Sequence, residues 1–316
     1  MTGAAGFVGS HLLDALAEHR VSVVAWHKPG MSINAARARV GPAVQWRAVD
    51  ILDTGTVTDA MADTRPAVVF HCAGAAHVGN SWDKTHDTFA VNVRGTHRLL
   101  EAIRHCGLTP RILIPGSALV YRQSSEALTE DAPIGPASPY AVSKLAQEQL
   151  GVRFVSEDNQ AVMLTRSFNH IGPRQSPFFA ASSFARWIAA IEAGQAEPTI
   201  YVGNLDAQRD LTDVRDTVRA YCDLVARGTP GRIYNVCSGR AYPIRDVLDG
   251  LLALTQVPVE VKIHRSRLRP NDNPVLLGDA ARARTELGWE PRVPLDRTLR
   301  DLLDYWRQEL AGPTAG

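Results

Sequence analysis

Gly3, Gly6 and Gly9, followed at once by Leu12, Leu13 and Leu16 at helical spacing, restrict this chain more than any other stretch. Glycines so placed let a backbone turn tightly and approach a pyrophosphate, while the N–H groups and positive dipole end of the next helix point at it. Phe7 and Val8 stand inside this loop and are expected to share its ligand contacts. A plain glycine-rich turn would look the same locally, so context has to decide. Such a loop should leave a buried strand, yet only Met1 and Thr2 precede it. We expect the numbering to begin inside that strand, with Met1 in the place of its last hydrophobic residue. A chain that began here would leave two strand edges unpaired, and the intact mass of the native protein tests the point.

Downstream, strand and helix patterns alternate. Residues 21–26, 44–49, 67–72, 112–114, 161–165 and 232–236 are short β-branched or apolar runs and predict strands. Residues 89–106 carry Val93, Leu99, Leu100 and Ile103 at helical spacing and end at Gly107, a natural C′ residue. Residues 140–153 predict another helix through Leu145 and Leu150, and residues 295–310 predict the last one. Strands alternating with helices over a whole half predict an α/β fold with a doubly wound parallel sheet and right-handed crossovers.

Composition narrows the partners. Of 316 residues, 45% are hydrophobic and 21% charged, as in soluble enzymes with one large domain or two smaller ones. The 34 basic and 33 acidic side chains show no long single-sign run, which argues against nucleic acid. Cys72, Cys106, Cys222 and Cys237 have neither metal-ligand nor disulfide-framework spacing and are expected to be reduced core residues. No apolar run approaches the roughly 20 residues of a membrane span, and no signal-peptide pattern opens the chain, so a cytoplasmic location is expected.

Candidate ligand contacts cluster at predicted strand ends. The strand at 21–26 runs into His27 and Lys28, with no Asp or Glu to bind ribose hydroxyls. Basic groups there accommodate a 2′-phosphate, which favours NADP(H) over NAD(H). The strand at 44–49 ends in Asp50 and Ile51, and the strand at 67–72 in Ala73, Gly74 and Ala75, small residues that let a flat cofactor lie against the backbone. Ser117 follows the strand at 112–114, at the carboxyl end where ligands bind in such sheets. Tyr140 and Lys144, four residues apart, share one face of a helix. Their unperturbed pKa values are about 10 and about 10.4, and a lysine cation beside the phenol would favour the phenolate.

With the three glycines, Ser117 and the Tyr140/Lys144 pair in this order, the chain resembles the extended short-chain dehydrogenase/reductases, the nucleotide-sugar epimerase and dehydratase group. The resemblance covers nearly the whole length. It implies a Rossmann-type dinucleotide domain (1–168 plus 212–238) with a smaller interleaved α/β nucleotide-sugar domain (169–211 plus 239–316). It also implies that Tyr140 is the general acid or base, that Lys144 holds the nicotinamide ribose and lowers the tyrosine pKa, and that Ser117 hydrogen-bonds the substrate oxygen. By the same resemblance Asn92 supports the active-site backbone, Asp50 meets the adenine, and Ala73 and Gly74 face the cofactor's phosphate and ribose. The helices at 89–106 and 140–153 are expected to supply a homodimer face.

The second half bears on the substrate. Residues 168–173 (FNHIGP), 203–216 (GNLDAQRDLTDVRD) and 234–239 (YNVCSG) look most like the GDP-4-keto-6-deoxy-mannose reductases. That resemblance implies a GDP-linked sugar held by Asn169, Arg174, Asn204, Arg209, Arg269 and Asp272, although relatives often carry Glu at the last position. Guanidinium groups suit a diphosphate through bidentate hydrogen bonds. Related GDP-mannose dehydratases carry a carboxylate two residues after the active-site hydroxyl, where this chain has Leu119. Leucine cannot accept a proton, so Leu119 argues against elimination more firmly than it argues for reduction. Arg122, where relatives commonly have glycine, is a departure without an assigned effect. The implied activity is reduction of the C4 ketone of GDP-4-keto-6-deoxy-D-mannose by NADP(H). A 4,6-dehydratase or a 4-epimerase would use the same three side chains, and a non-catalytic NADP(H)-binding redox sensor is the alternative outside enzymology.

Overall fold

Strands form where apolar runs stand, because runs buried on both faces satisfy their backbone sideways. A computed structural model describes residues 1–19, 21–265 and 273–312. In chain order come α1 (Phe7–Glu18), β1 (Val23–His27), α2 (Asn34–Val40), β2 (Val44–Ala48), α3 (Thr54–Thr64), β3 (Val68–Phe70), α4 (Asn80–Asp83), α5 (Thr85–Phe89) and α6 (Thr96–His105). They are followed by β4 (Arg111–Ser117), α7 (Pro139–Asp158), β5 (Ala161–Ser167), β6 (Asn169–Ile171), α8 (Ala180–Glu192), β7 (Thr199–Val202), β8 (Gln208–Asp213) and α9 (Val214–Arg227). Last come β9 (Ile233–Val236), β10 (Ala241–Pro243), α10 (Ile244–Leu252), β11 (Glu260–Ile263), β12 (Val275–Leu276), α11 (Ala281–Leu287) and α12 (Leu295–Ala311).

β3, β4, β5 and β9 lie side by side and parallel, and β1 and β2 form a second parallel pair. Residues 1–4 join the two. On one side Met1 O accepts from Trp26 N at 2.8 Å and Ala4 N donates to Trp26 O at 3.2 Å; on the other Thr2 N donates to Phe70 O at 3.0 Å. The order across the layer is therefore β2, β1, residues 1–4, β3, β4, β5, β9. Strand order reverses at the opening segment, and ligands of open α/β sheets bind beyond the carboxyl ends of strands at such a point.

Alternate residues of β4 serve opposite cores, as a pleated strand requires: Leu113 packs under α1 and α9, Ile112 and Ile114 under α3, α6 and α7. Helices on both faces of a parallel sheet make this a Rossmann-type doubly wound α/β arrangement. A separate apolar cluster, including Phe184, Ile188, Ile200, Leu251 and Leu302, is built from α8, β7, α10 and α12. Leu276, Leu287 and Trp289, by contrast, pack into the core beneath α1 and α9.

Two local features shape the sheet's carboxyl edge. A Cβ on Gly9 would fall 2.2 Å from Gly3 O, and Gly3 sits at φ +62° against the backbone of Cys72 and Ala73. Gly9→Ala is expected to cost about 1–3 kcal/mol of stability through overpacking, read as a lower urea midpoint at unchanged m-value. Between α5 and α6, residues Ala90–Gly95 form a single π turn. Such a turn inserts one extra residue into a helix and turns side chains that an unbroken helix would aim elsewhere. Asn92 is among them.

Candidate active site

The start of α7 brings the catalytic candidates together. Ser138 Oγ caps the helix by accepting from Ala141 N at 3.1 Å, and Pro139 occupies the first turn, where its missing N–H costs nothing. Tyr140 therefore lies in the first turn and Lys144 one turn further on the same face. Opposite them is the end of β4. The Tyr140 hydroxyl lies near the Ser117 side chain, whose Oγ accepts from Leu119 N at 3.2 Å. Lys144 Nζ donates to Pro115 O at 2.6 Å and to the side-chain carbonyl of Gln147. Ser117, Tyr140 and Lys144, chosen from sequence, thus all lie at the β4–α7 junction.

The electrostatics depart from one expectation. Burial pushes the Tyr140 phenol above its ordinary value, with the Ser117 side chain pulling the other way. Lys144 is not among the groups acting on it in this arrangement, so the lysine-lowered phenol implied by the resemblance is not seen. The same low-dielectric surroundings push Lys144 down to about 8, opposed by Cys72. At neutral pH the tyrosine is protonated and the lysine is still mostly an ammonium.

The glycine loop opens next to this pair. Gly6 is the N-cap of α1, which has neither a side-chain cap nor an acidic residue in its first turn. First-turn N–H groups there are available to an anion. Asn92, fully buried, accepts from Ala75 N at 2.8 Å and donates to Ala75 O at 3.2 Å and Ser143 Oγ at 2.9 Å. Ser143 Oγ donates in turn to Tyr140 O at 2.7 Å. One side chain on the π turn thereby ties the segment after β3 to the first turn of α7. Gly74 stands over Asn92 Oδ1, and Ile51 packs against Gly95. Asp50 Oδ1 accepts from Leu52 N at 2.9 Å, closing the turn after β2. The arrangement fits a dinucleotide: an uncapped helix start, a cradle too tight for a Cβ, and small residues along the strand ends. His27, half-buried and edge-on to the Trp46 ring, and exposed Lys28 close β1 as expected.

The substrate-side candidates are less united. Arg174 sits in left-handed backbone at φ +70°, and its guanidinium pairs with Asp14 at 2.7 Å and packs on the His11 ring, both on α1. It therefore lies beside the dinucleotide helix, whereas Arg209 on β8 donates to Asn273 O at 2.6 Å. Asn169 is exposed on β6, and Asn204 is exposed and accepts from Asp206 N at 3.0 Å. Arg269 and Asp272 lie outside the described residues.

Sequence reasoning missed three buried polar groups. Glu148 binds Arg166 through both carboxylate oxygens at 2.8 and 2.9 Å, with side chains 1% and 5% exposed. Asp210, fully buried, accepts from the backbone N–H groups of Ser238, Gly239 and Gly278. Gln147 joins Lys144 to Thr96. Gln147 and Glu148 follow Lys144 by three and four residues, so helical spacing alone could have found both. Asp210 gave no local signal, since its partners are 28 and more residues away.

Comparison with known proteins agrees with this geometry. The profile of the GDP-mannose 4,6 dehydratase family matches residues 1–302. The chain is 33% identical over 313 residues to the GDP-6-deoxy-D-mannose reductase of Pseudomonas aeruginosa, covering 98% of this chain and 97% of that protein. Among solved structures, RMD from Pseudomonas aeruginosa complexed with NADPH superposes with a TM-score of 0.83 at 31% identity, over 97% of each chain. UDP-glucose 4-epimerase of Thermus thermophilus, in complex with NAD, superposes with a TM-score of 0.85 at 27% identity, again over 97% of each chain. A profile match running from the first residue almost to the last, together with a relative of this likeness along its full length, leaves one conclusion: the chain belongs to the GDP-mannose 4,6-dehydratase family.

Proposed function

We propose that this chain is an NADP(H)-dependent oxidoreductase that reduces the C4 ketone of GDP-4-keto-6-deoxy-D-mannose to the alcohol of a GDP-6-deoxyhexose. The observation that carries the reading is the Tyr140 hydroxyl near Ser117 at the sheet's carboxyl edge, with Leu119 and no carboxylate two residues on. Its likeness to a GDP-6-deoxy-D-mannose reductase along almost the whole chain supports it. When bound, NADPH supplies the hydride. Ser117 hydrogen-bonds the ketone oxygen, and Tyr140, held protonated by its surroundings, donates to that oxygen as it becomes an alkoxide. Lys144, still an ammonium at neutral pH, offers an N–H to the nicotinamide ribose.

Gly3, Gly6, Phe7, Val8 and Gly9 are assigned to the pyrophosphate, Asp50 and Ile51 to the adenine, and Ala73, Gly74 and Ala75 with Asn92 to the nicotinamide half. Asn169, Arg174, Asn204 and Arg209, with Arg269 and Asp272, are assigned to the GDP-sugar, Arg174 from a position next to α1. His27 and Lys28, without a neighbouring carboxylate, favour the 2′-phosphate, and the NADPH-bound neighbour supports this over the NAD-bound one. Higher kcat/KM with NADPH than with NADH is the expected result, and a preference for NADH would reverse this assignment. A second copy is assigned to the faces of α6 and α7, where Val142 on α7 is 40% exposed. No helix among the described residues is long and apolar enough to cross a membrane, and all four cysteines are free, consistent with a cytoplasmic location.

Product analysis decides among the family's chemistries. Consumption of NADPH with the 4-keto-6-deoxy sugar, and no elimination of water from GDP-mannose, is expected; the opposite pattern would make the chain a dehydratase. Because Lys144 must carry its proton, kcat is expected to fall as pH rises through about 8, recorded as an alkaline limb in the pH–rate profile. NADPH binding without turnover of any keto-sugar nucleotide would favour the sensor.

A further inference from the structure

The hydrogen bonds around Lys144 continue well beyond it. An ammonium has three N–H donors; two go to Pro115 O and the Gln147 carbonyl, leaving one for a further acceptor. Gln147 is 1% exposed, and its amide N–H donates to Thr96 Oγ1 at 2.7 Å. Flipping the amide would turn its N–H groups toward the ammonium, so its orientation is set from both ends. Thr96 Oγ1 has a single proton, given to Asn92 O at 2.7 Å, and must accept from both Gln147 and His71 Nε2, the latter at 2.8 Å. His71 is thereby the Nε2–H tautomer, and its Nδ1 accepts from Thr2 Oγ1 at 2.8 Å. Thr2 Oγ1 itself accepts from Ala73 N at 3.0 Å. Burial and the nearby Lys144 charge push His71 down to about 3, so it does not switch state near neutrality. From Lys144 to the backbone after β3, each donor has one assigned acceptor, and no member can turn alone.

We propose that Gln147 is a positioning residue: its amide, locked by Thr96, holds the Lys144 ammonium so that the remaining N–H faces the nicotinamide ribose. This rests on the reaction read above. A carboxylate at this position would fix the lysine's proton too firmly, and an apolar side chain would release the ammonium to other rotamers.

The test compares the full-length wild type with Gln147→Glu and Gln147→Met. NADPH affinity is followed by cofactor fluorescence and kcat by NADPH consumption, both as functions of pH, with thermal midpoints measured alongside. Gln147→Glu is expected to move the alkaline midpoint of both NADPH binding and kcat upward by about one unit or more. Gln147→Met is expected to move both downward and to lower kcat about tenfold. A residue that merely fills space would lower the thermal midpoint and leave both pH midpoints in place, which would overturn the proposal. Should Gln147→Met fail to fold, Gln147→Glu alone decides. Should the wild type turn over no keto-sugar nucleotide, the proposed reaction fails, while the pH midpoint of NADPH binding still reads the hold of Gln147 on Lys144; its constancy in Gln147→Glu overturns the inference in either case.

Discussion

Tyr140→Phe is expected to lower kcat for GDP-4-keto-6-deoxy-D-mannose reduction by about a hundred- to ten-thousand-fold, the usual range for a positioned general acid. NADPH affinity should change less than about threefold, because the variant loses an interaction made in the transition state and keeps the ground-state packing of the ring. The ring sits in the first turn of a helix capped by Ser138 and Pro139, so removing one oxygen disturbs no backbone bond. The elevated phenol pKa matters for direction. A protonated tyrosine is ready to donate to an alkoxide, a far stronger base than phenolate, but must first lose its proton to act as a base in the oxidative direction. Reduction should thus tolerate neutral pH better than the reverse reaction. A Tyr140→Phe enzyme within about threefold of wild-type kcat would remove Tyr140 from the chemistry, and with it the proposed mechanism.

Glu148→Leu is expected to be the most destabilising single change near the site. It would leave the Arg166 guanidinium buried without its charge partner, at a cost of about 3–5 kcal/mol. In a chain of this size that corresponds to a drop of roughly 5–8 °C in thermal midpoint. Arg166 also donates to Glu130 O at 2.9 Å and lies 4.6 Å over the Tyr121 ring, so it cannot swing out to water without unpacking the loop after β4. The double variant Glu148→Leu/Arg166→Met should recover most of the loss, since apolar replacement of a buried pair is often near neutral. If the double variant is no more stable than Glu148→Leu, the pair is not an isolated charge couple and the loss lies in the surrounding packing.

The parts of this molecule that could be read in advance are those whose cause is local. The β1, β4, β5 and β9 runs are largely apolar because their surroundings are, the edge strand β2 shows itself by alternation, and the first turn of α7 announces itself through Ser138 and Pro139. Gly107 stands at φ +61° just past α6, as a helix stop should. What could not be read is what only tertiary approach creates. His71 meets Thr2 across 69 positions and Thr96 across 25, and no periodicity encodes such a meeting. Arg174 belongs by pattern to the diphosphate set, and the pattern holds no trace of its contacts with Asp14 and His11 on α1. The expected effect of Lys144 on the phenol failed for an electrostatic reason. Burial acts on both groups and raises the one while lowering the other, a competition that spacing along a helix cannot weigh.

The π turn at Ala90–Gly95 has a consequence for how this stretch tolerates change in length. Each residue of an ordinary helix advances its successors by about 100° around the axis. Deleting Val91 or Val93 would remove the extra residue that the wide turn accommodates, so the coil would close to its common pitch and the side chains inside the turn would be re-aimed by about that angle. Thr96 and Asn92, which now reach two different neighbours, would then lose their common phase. Gaps are therefore costlier here than in the surface loops, and substitutions that preserve the residue count are the safer route to altering this corner of the enzyme.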